Sequence, residues 1–167
     1  MKDEWFYLVV IGAGSAGLTA VRNAFMPGSS SGQPAVMGWT TLTDPEAAHN
    51  DLTEAEAKQE YGESAWALTK SLERVDRAVT DDAEAGFNKL VGHKNGRILG
   101  ATIVAPRAGE MISELSVAMQ NKISLRDIAD TIHPYPAYSV GVQLAAADEA
   151  TNDFFAGLLG QLVKKLT

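Results

Sequence analysis

Three glycines carry the most specific chemical pattern in the chain. Gly12, Gly14 and Gly17 are spaced G-x-G-x-x-G, directly after the apolar, β-branched residues 5–11 and at the head of a helical stretch, residues 18–25. Strand, glycine turn and helix in that order form a dinucleotide cradle. Gly12 permits the tight turn, Gly14 lets a pyrophosphate approach the backbone, and Gly17 lets helix and strand pack closely. The helix N-terminus adds free N–H groups and a partial positive charge. A working cradle also needs a second parallel strand and an acidic residue about 20 positions on, to hold the ribose. Here residues 27–34, Pro-Gly-Ser-Ser-Ser-Gly-Gln-Pro, follow instead and read as a turn or linker. Two readings stay open: a dinucleotide site, or a relic docked as an edge strand.

Other chemistry is sparse. The 167 residues include no cysteine. That excludes a structural disulfide, a thiolate metal site and cysteine redox chemistry carried within this chain. His49 and His93 are isolated, and no carboxylate spacing points to a metal site. The run Asp81-Asp82-Ala83-Glu84 reads as a solvated turn. A net charge of −7 and a pI near 4.9 would repel phosphate backbones, which argues against nucleic acid as a partner. The apolar run of residues 8–11 is too short for a membrane span. Lys2, Asp3 and Glu4 do not read as the start of a signal peptide. A cysteine-free, acidic chain fits the cytoplasm.

The remaining elements follow from local pattern. Residues 35–43 form a second strand candidate. Thr53-Glu54-Ala55-Glu56 opens a helix with a capping box, ending near Tyr61-Gly62. Residues 66–75 form an imperfectly alternating strand candidate. Residues 86–93 and 97–105 flank Lys94-Asn95-Gly96, which predicts a hairpin with both Asn95 and Gly96 at positive φ. Residues 109–121 predict an amphipathic helix with Met111, Leu115, Ala118 and Met119 on one face and Ile112 alongside. Ser124 is the expected N-cap of a short helix. His133-Pro134-Tyr135-Pro136 must be extended, because each proline excludes the helical region for its predecessor. Helices are expected over residues 137–150 and, with rows Phe154/Leu158/Leu162/Leu166 and Phe155/Leu159/Val163, over residues 153–166.

Several of these segments resemble one family. Trp39-Thr40-Thr41-Leu42-Thr43-Asp44-Pro45-Glu46 and Leu52-Thr53-Glu54-Ala55-Glu56-Ala57 look like the start of the dimerisation domain of the pyridine nucleotide-disulfide oxidoreductases. Asn95-Gly96-Arg97-Ile98-Leu99-Gly100-Ala101, Gly109-Glu110-Met111-Ile112 and Thr131-Ile132-His133-Pro134-Tyr135-Pro136 match its hairpin, next helix and C-terminal signature, in the family's order. The resemblance covers roughly residues 21–150 and is nearest the mercuric reductase-like and dihydrolipoamide dehydrogenase-like branch. Residues 7–17 resemble the family's FAD-binding N-terminus, and Val21-Arg22-Asn23-Ala24-Phe25 the helix just before the dimerisation domain. The family places the redox cysteines, the NAD(P) domain and most of the FAD domain between these pieces, which implies an in-frame junction near Thr19-Ala20.

The resemblance implies an α+β fold: an antiparallel sheet with helices packed on one side, preceded by a βα remnant of a Rossmann-type domain. The implied organisation is a remnant at 1–20, a helix end and linker at 21–34, the dimerisation domain at 35–150 and a C-terminal amphipathic helix at 151–167. It implies a homodimer, and FAD as the cofactor of complete members through Gly12, Gly14 and Gly17, with this shortened chain expected not to hold it. In complete members a His-Glu pair on the Pro-containing loop crosses the dimer interface and serves the partner's thiol. Two alignments are open. One puts Tyr135 in the His place and Val140 in the Glu place, and it is favoured because the mercuric reductase-like branch carries Tyr there. The other puts His133 and Tyr138 in those places. Neither preserves the pair, so Tyr135 and His133 are catalytic candidates whose partner carboxylate is missing. The alternative is that both are rigid loop residues. Two functions follow: a homodimerisation module without reductase activity of its own, or a residual FAD- or NAD(P)H-binding oxidoreductase.

Overall fold

A computed structural model describes residues 38–156, together with Gly17 and Val36; for residues 152–156 it describes the backbone alone. The early strand and helix, Gly12 and Gly14, and the end of the C-terminal helix lie outside the described residues. The elements with described bounds all belong to the second of two compact units, which begins at Gly38.

Five strands form one antiparallel sheet. They are β1 (Gly38–Thr41), β2 (Glu46–Asp51), β3 (Ala65–Ser71), β4 (Phe87–His93) and β5 (Ile98–Ala105), in the order β1-β2-β5-β4-β3. The helices are α1 (Glu54–Tyr61), α2 (Asp76–Thr80), α3 (Ala108–Gln120), α4 (Leu125–Asp130) and α5 (Val140–Ala156). Short 3-10 turns at Gly62–Ser64 and Leu72–Arg74 join them. This is the expected α+β architecture, with α3, α4 and α5 sharing one core against the sheet.

The sheet has two faces and two cores, because successive strand residues point to opposite sides. Trp66, Leu68, Leu90, Ala101, Ile103 and Ala105 face the large core, with Leu115 of α3, Ile128 of α4 and Val142 of α5. Ala65, Ala67 and Val91 face a small cluster closed by Ala57 and Tyr61 of α1. A register shift between Val91 and Gly92 opposes Gly92 to Ile98 and Val91 to Gly100. Leu99 is the extra residue of this bulge. It points into the small cluster, while Ile98 before it and Ala101 after it both reach the large one.

Local signals set most of the boundaries. The Thr53–Glu56 capping box forms as expected. Lys58 and Lys89 both pair with Glu54, and their hydrogen bonds hold its carboxyl down to about 2. Ser124 caps α4, and Asp127 completes a second capping box. Three expectations need correction. The strand expected over 66–75 stops at Ser71, because Ser71 caps the 3-10 turn that follows and Val75 is the N-cap of α2. The hairpin turn has Gly96 at φ 85°, but Asn95 is not left-handed; its side chain instead accepts from the Arg97 amide at 3.1 Å. The helix expected from 137 starts at Val140 and runs on to Ala156.

β2 is the element that sequence pattern leaves out. Glu-Ala-Ala-His-Asn-Asp is poor in strand formers. Its neighbours decide the matter: it pairs with β1 on one side and β5 on the other, burying Ala48 and Asn50 completely. Asn50 then ties the sheet to α3, donating to the Ile112 carbonyl at 3.1 Å and to Ser116 Oγ at 2.8 Å. Glu46, at the other end of β2, accepts from the Gly109 amide at 3.0 Å and so caps α3 across 63 residues of chain. The N-cap of that helix, Arg107, offers no side-chain cap of its own.

Asn88 on β4 is fully buried, and neither end of its amide finds a partner. It lies beneath the first turn of α5, against Gly141 and near Val75. A buried amide without hydrogen bonds is destabilising, and an apolar group of similar shape removes the cost. Asn88→Leu is therefore expected to raise stability by about 1–2 kcal/mol in urea unfolding. A loss of stability would show that Asn88 has a partner in solution.

Candidate functional site

The candidate site is the loop between α4 and α5. Extended backbone is required around Pro134 and Pro136, and the Tyr135–Pro136 peptide is cis. Each of three ring side chains in this stretch meets a carboxylate from elsewhere in the fold.

His133 is held inside. Its side chain is only 5% exposed, with Nε2 at 2.7 Å from Glu114 Oε1 and Nδ1 at 3.0 Å from the Thr131 carbonyl. That carbonyl also accepts from Gln143 Nε2 of α5 at 2.7 Å. Both ring nitrogens face oxygens of the chain itself, so neither is turned toward an incoming substrate. The carboxylate that orients it comes from α3, 19 residues earlier, and not from the loop. Sequence pattern misses this pair because nothing local joins the two residues. The available clue is that Glu114 adjoins the buried row Met111, Leu115 and Ala118 on the same helix.

Tyr135 is the opposite case. It is 72% exposed, and its hydroxyl donates to Asp76 Oδ2 at 2.6 Å. That hydrogen bond raises the phenol above its ordinary range, which keeps it protonated. Tyr138 is buried and donates to Asp81 Oδ2 at 2.9 Å. Burial first, and then Asp81, raises its phenol. Asp81 is in turn gripped by Arg77 Nε at 2.7 Å, and the guanidinium holds its carboxyl below the usual range, with help from the Tyr138 hydroxyl. The turn at 81–84 is exposed as expected at Asp81 and Asp82, but Asp81 also anchors the loop. Val140, the first residue of α5, offers no carboxylate.

The structure thus brings neither His133 nor Tyr135 next to a second loop carboxylate. It disposes of them differently, one as a buried strut and one as an exposed phenol resting on α2. Beside them lies a cavity of about 310 Å³ lined by Arg77, Arg107, Glu110, Glu114 and Tyr138, with charges of both signs. His49 is satisfied by Thr102 Oγ1 and the Asp51 carbonyl, and His93 accepts from the Asn95 amide. Among the described residues no group of three or more His, Asp or Glu side chains could hold a metal ion. No helix among them is long and apolar enough to cross a membrane. Gly17 is the one motif glycine described, and it is helical.

Comparison with known proteins identifies the domain. Residues 37–146 match the family model described as the pyridine nucleotide-disulphide oxidoreductase dimerisation domain. The chain belongs to this family. It is 35% identical over 135 residues to a mercuric reductase of Acidithiobacillus ferrooxidans, covering 80% of this chain and 24% of that protein. It is 36% identical over 118 residues to a dihydrolipoyl dehydrogenase of Buchnera aphidicola, covering 68% of this chain and 24% of the other. The crystal structure of LpdA from Mycobacterium tuberculosis superposes with a TM-score of 0.69 at 28% identity, over 79% of this chain and 29% of that one. The flavoprotein disulfide reductase RclA from Escherichia coli shares the fold, with a TM-score of 0.68 at 20% identity. The chain spans about a quarter of the length of the curated relatives it matches.

The Arg77–Asp81–Tyr138 clamp predicts a pH signature. A carboxyl whose folded value lies below its ordinary 3.8 stabilises the fold above 3.8 and loses that contribution as pH falls through the lower, folded value. Asp81→Asn is expected to lower the thermal midpoint at neutral pH and to converge with the unaltered chain in acid. A gap that persists in acid would show that Asp81 acts through something other than its charge.

Proposed function

We propose that this chain is a homodimerisation module without disulfide reductase activity of its own. The observation that carries the reading is the pairing of a complete five-stranded domain, matched over residues 37–146, with a sequence free of cysteine. Disulfide exchange needs a thiolate, and this chain has none to offer. On this reading Tyr135 and His133 are loop anchors and not catalytic groups.

A dinucleotide cofactor does not fit the described residues. Every strand pair among them is antiparallel, so they contain no parallel βαβ crevice in which a pyrophosphate could meet a helix N-terminus. A second reading, a residual FAD- or NAD(P)H-binding oxidoreductase, is favoured by the spacing of Gly12, Gly14 and Gly17. The acidic, cysteine-free composition supports a cytoplasmic setting and a protein partner over nucleic acid.

Sedimentation equilibrium of the purified chain, read together with its visible spectrum, separates the two. The expected result is a species of twice 17.8 kDa without a flavin band and with no thermal shift on adding FAD. A monomer throughout the micromolar range overturns the module reading. A bound flavin band establishes the second reading in its place.

A further inference from the structure

The hairpin between β4 and β5 turns on Asn95-Gly96, the one Asn-Gly pair in the chain. Asparagine is among the heat-labile residues, and Asn95 is exposed at the tip. Two hydrogen bonds hold the tip closed. The Gly96 amide donates to the His93 carbonyl at 2.8 Å, and Asn95 Oδ1 accepts from the Arg97 amide at 3.1 Å. The second bond folds the side-chain amide back along the main chain and draws electrons from Cγ, the carbon that a nucleophile attacks. The first holds back the nearest nucleophile, the Gly96 nitrogen. Gly96 has no Cβ to hinder the approach, and solvent-exposed backbone hydrogen bonds of this kind open locally at low cost. Asn50 and Asn88 are fully buried, and Asn121 is followed by Lys122, whose side chain crowds the same approach.

We propose that Asn95 is a site of spontaneous covalent modification, in which the Gly96 nitrogen closes on the Asn95 side chain whenever the turn opens. The Gly96 nitrogen gives its proton to solvent and bonds to Asn95 Cγ. The Cγ–Nδ2 bond breaks, and Nδ2 leaves as ammonia with a proton from water. A water then opens the succinimide ring at either carbonyl. Opening at Cγ leaves aspartate; opening at the main-chain carbonyl leaves isoaspartate, whose backbone runs through the side-chain carbons. Water is the only co-reactant, and nothing is oxidised or reduced. The fold treats the two products differently. Aspartate keeps an oxygen where Oδ1 already meets the Arg97 amide, between the exposed Lys94 and Arg97. Isoaspartate adds a main-chain carbon to a turn that is pinned at both ends, by the His93 amide on the Arg97 carbonyl at 2.9 Å and by the Leu125 amide on the Gly96 carbonyl at 3.1 Å. The latter bond seats the start of α4, so the lengthened turn loosens that helix. The chemistry is the same in a monomer and in a dimer.

The test ages the purified full chain in warm, mildly alkaline buffer and maps its peptides by mass spectrometry, with isoaspartate scored by enzymatic methylation. Residue 95 is expected to lose its amide before Asn121 does, and to yield both products. The isoaspartyl fraction is expected to exchange its amides at residues 125–130 faster than the aspartyl fraction does. Asn95→Gln, whose longer side chain disfavours ring closure, is expected to abolish the conversion, and Asn95→Asp to keep the thermal midpoint of the unaltered chain. An intact amide at residue 95 once Asn121 has converted, or conversion to aspartate alone, overturns the proposal.

Discussion

The structure depends on the burial of β5. This strand carries Ile98, Leu99, Ala101, Ile103 and Ala105, all buried, and it sits third of five in the sheet. A strand so placed must have its backbone groups paired on both edges, since buried peptide groups without partners are costly. β4 supplies one edge through a hairpin that any folding chain finds early, the two being joined by four residues. β2 supplies the other from 47 positions or more away along the chain. Once β2 is seated, Asn50 and Glu46 reach α3, and that helix closes the core. The sheet, the helix and the loop beyond it therefore stand or fall with the β2–β5 pairing.

The same arrangement explains how the loop between α4 and α5 keeps its shape. Its three ring side chains are fastened to three different places: His133 to α3, Tyr135 to the first residue of α2, and Tyr138 to the residue that ends α2. A segment with two prolines has few conformations to begin with, and these contacts select one. The consequence for chemistry is restrictive. The imidazole is spent on internal hydrogen bonds, and the exposed phenol is held in its protonated form. Between these anchors Ile132 is left 94% exposed.

How much of this was legible in the sequence follows from distance along the chain. Signals confined to a few residues were readable: Thr53 with Glu56, Ser124 as a cap, the apolar face of α3, and the hairpin around Asn95-Gly96. The family itself was readable because its motifs are short and ordered. β2 was not, since Glu46–Asp51 has the composition of a turn and becomes a strand only between β1 and β5. Nor was the bulge at Leu99, where one extra residue puts Ile98 and Ala101, three positions apart, into the same core. In the site, sequence position singles out His133 and Tyr135 but not the carboxylates they meet. Glu114 and Asp76 lie 19 and 59 positions away, and only the folded chain makes them neighbours.

The most direct measurement is hydrogen–deuterium exchange followed as the protein is diluted. A core organised on β5, in a chain that self-associates as proposed, makes two demands at once. Amides of residues 98–105 should stay protected at every concentration, while amides on the associating face should exchange faster as dilution separates the copies. Exchange that changes with concentration nowhere in residues 38–151 would contradict self-association. Rapid exchange in residues 98–105 would contradict the core itself.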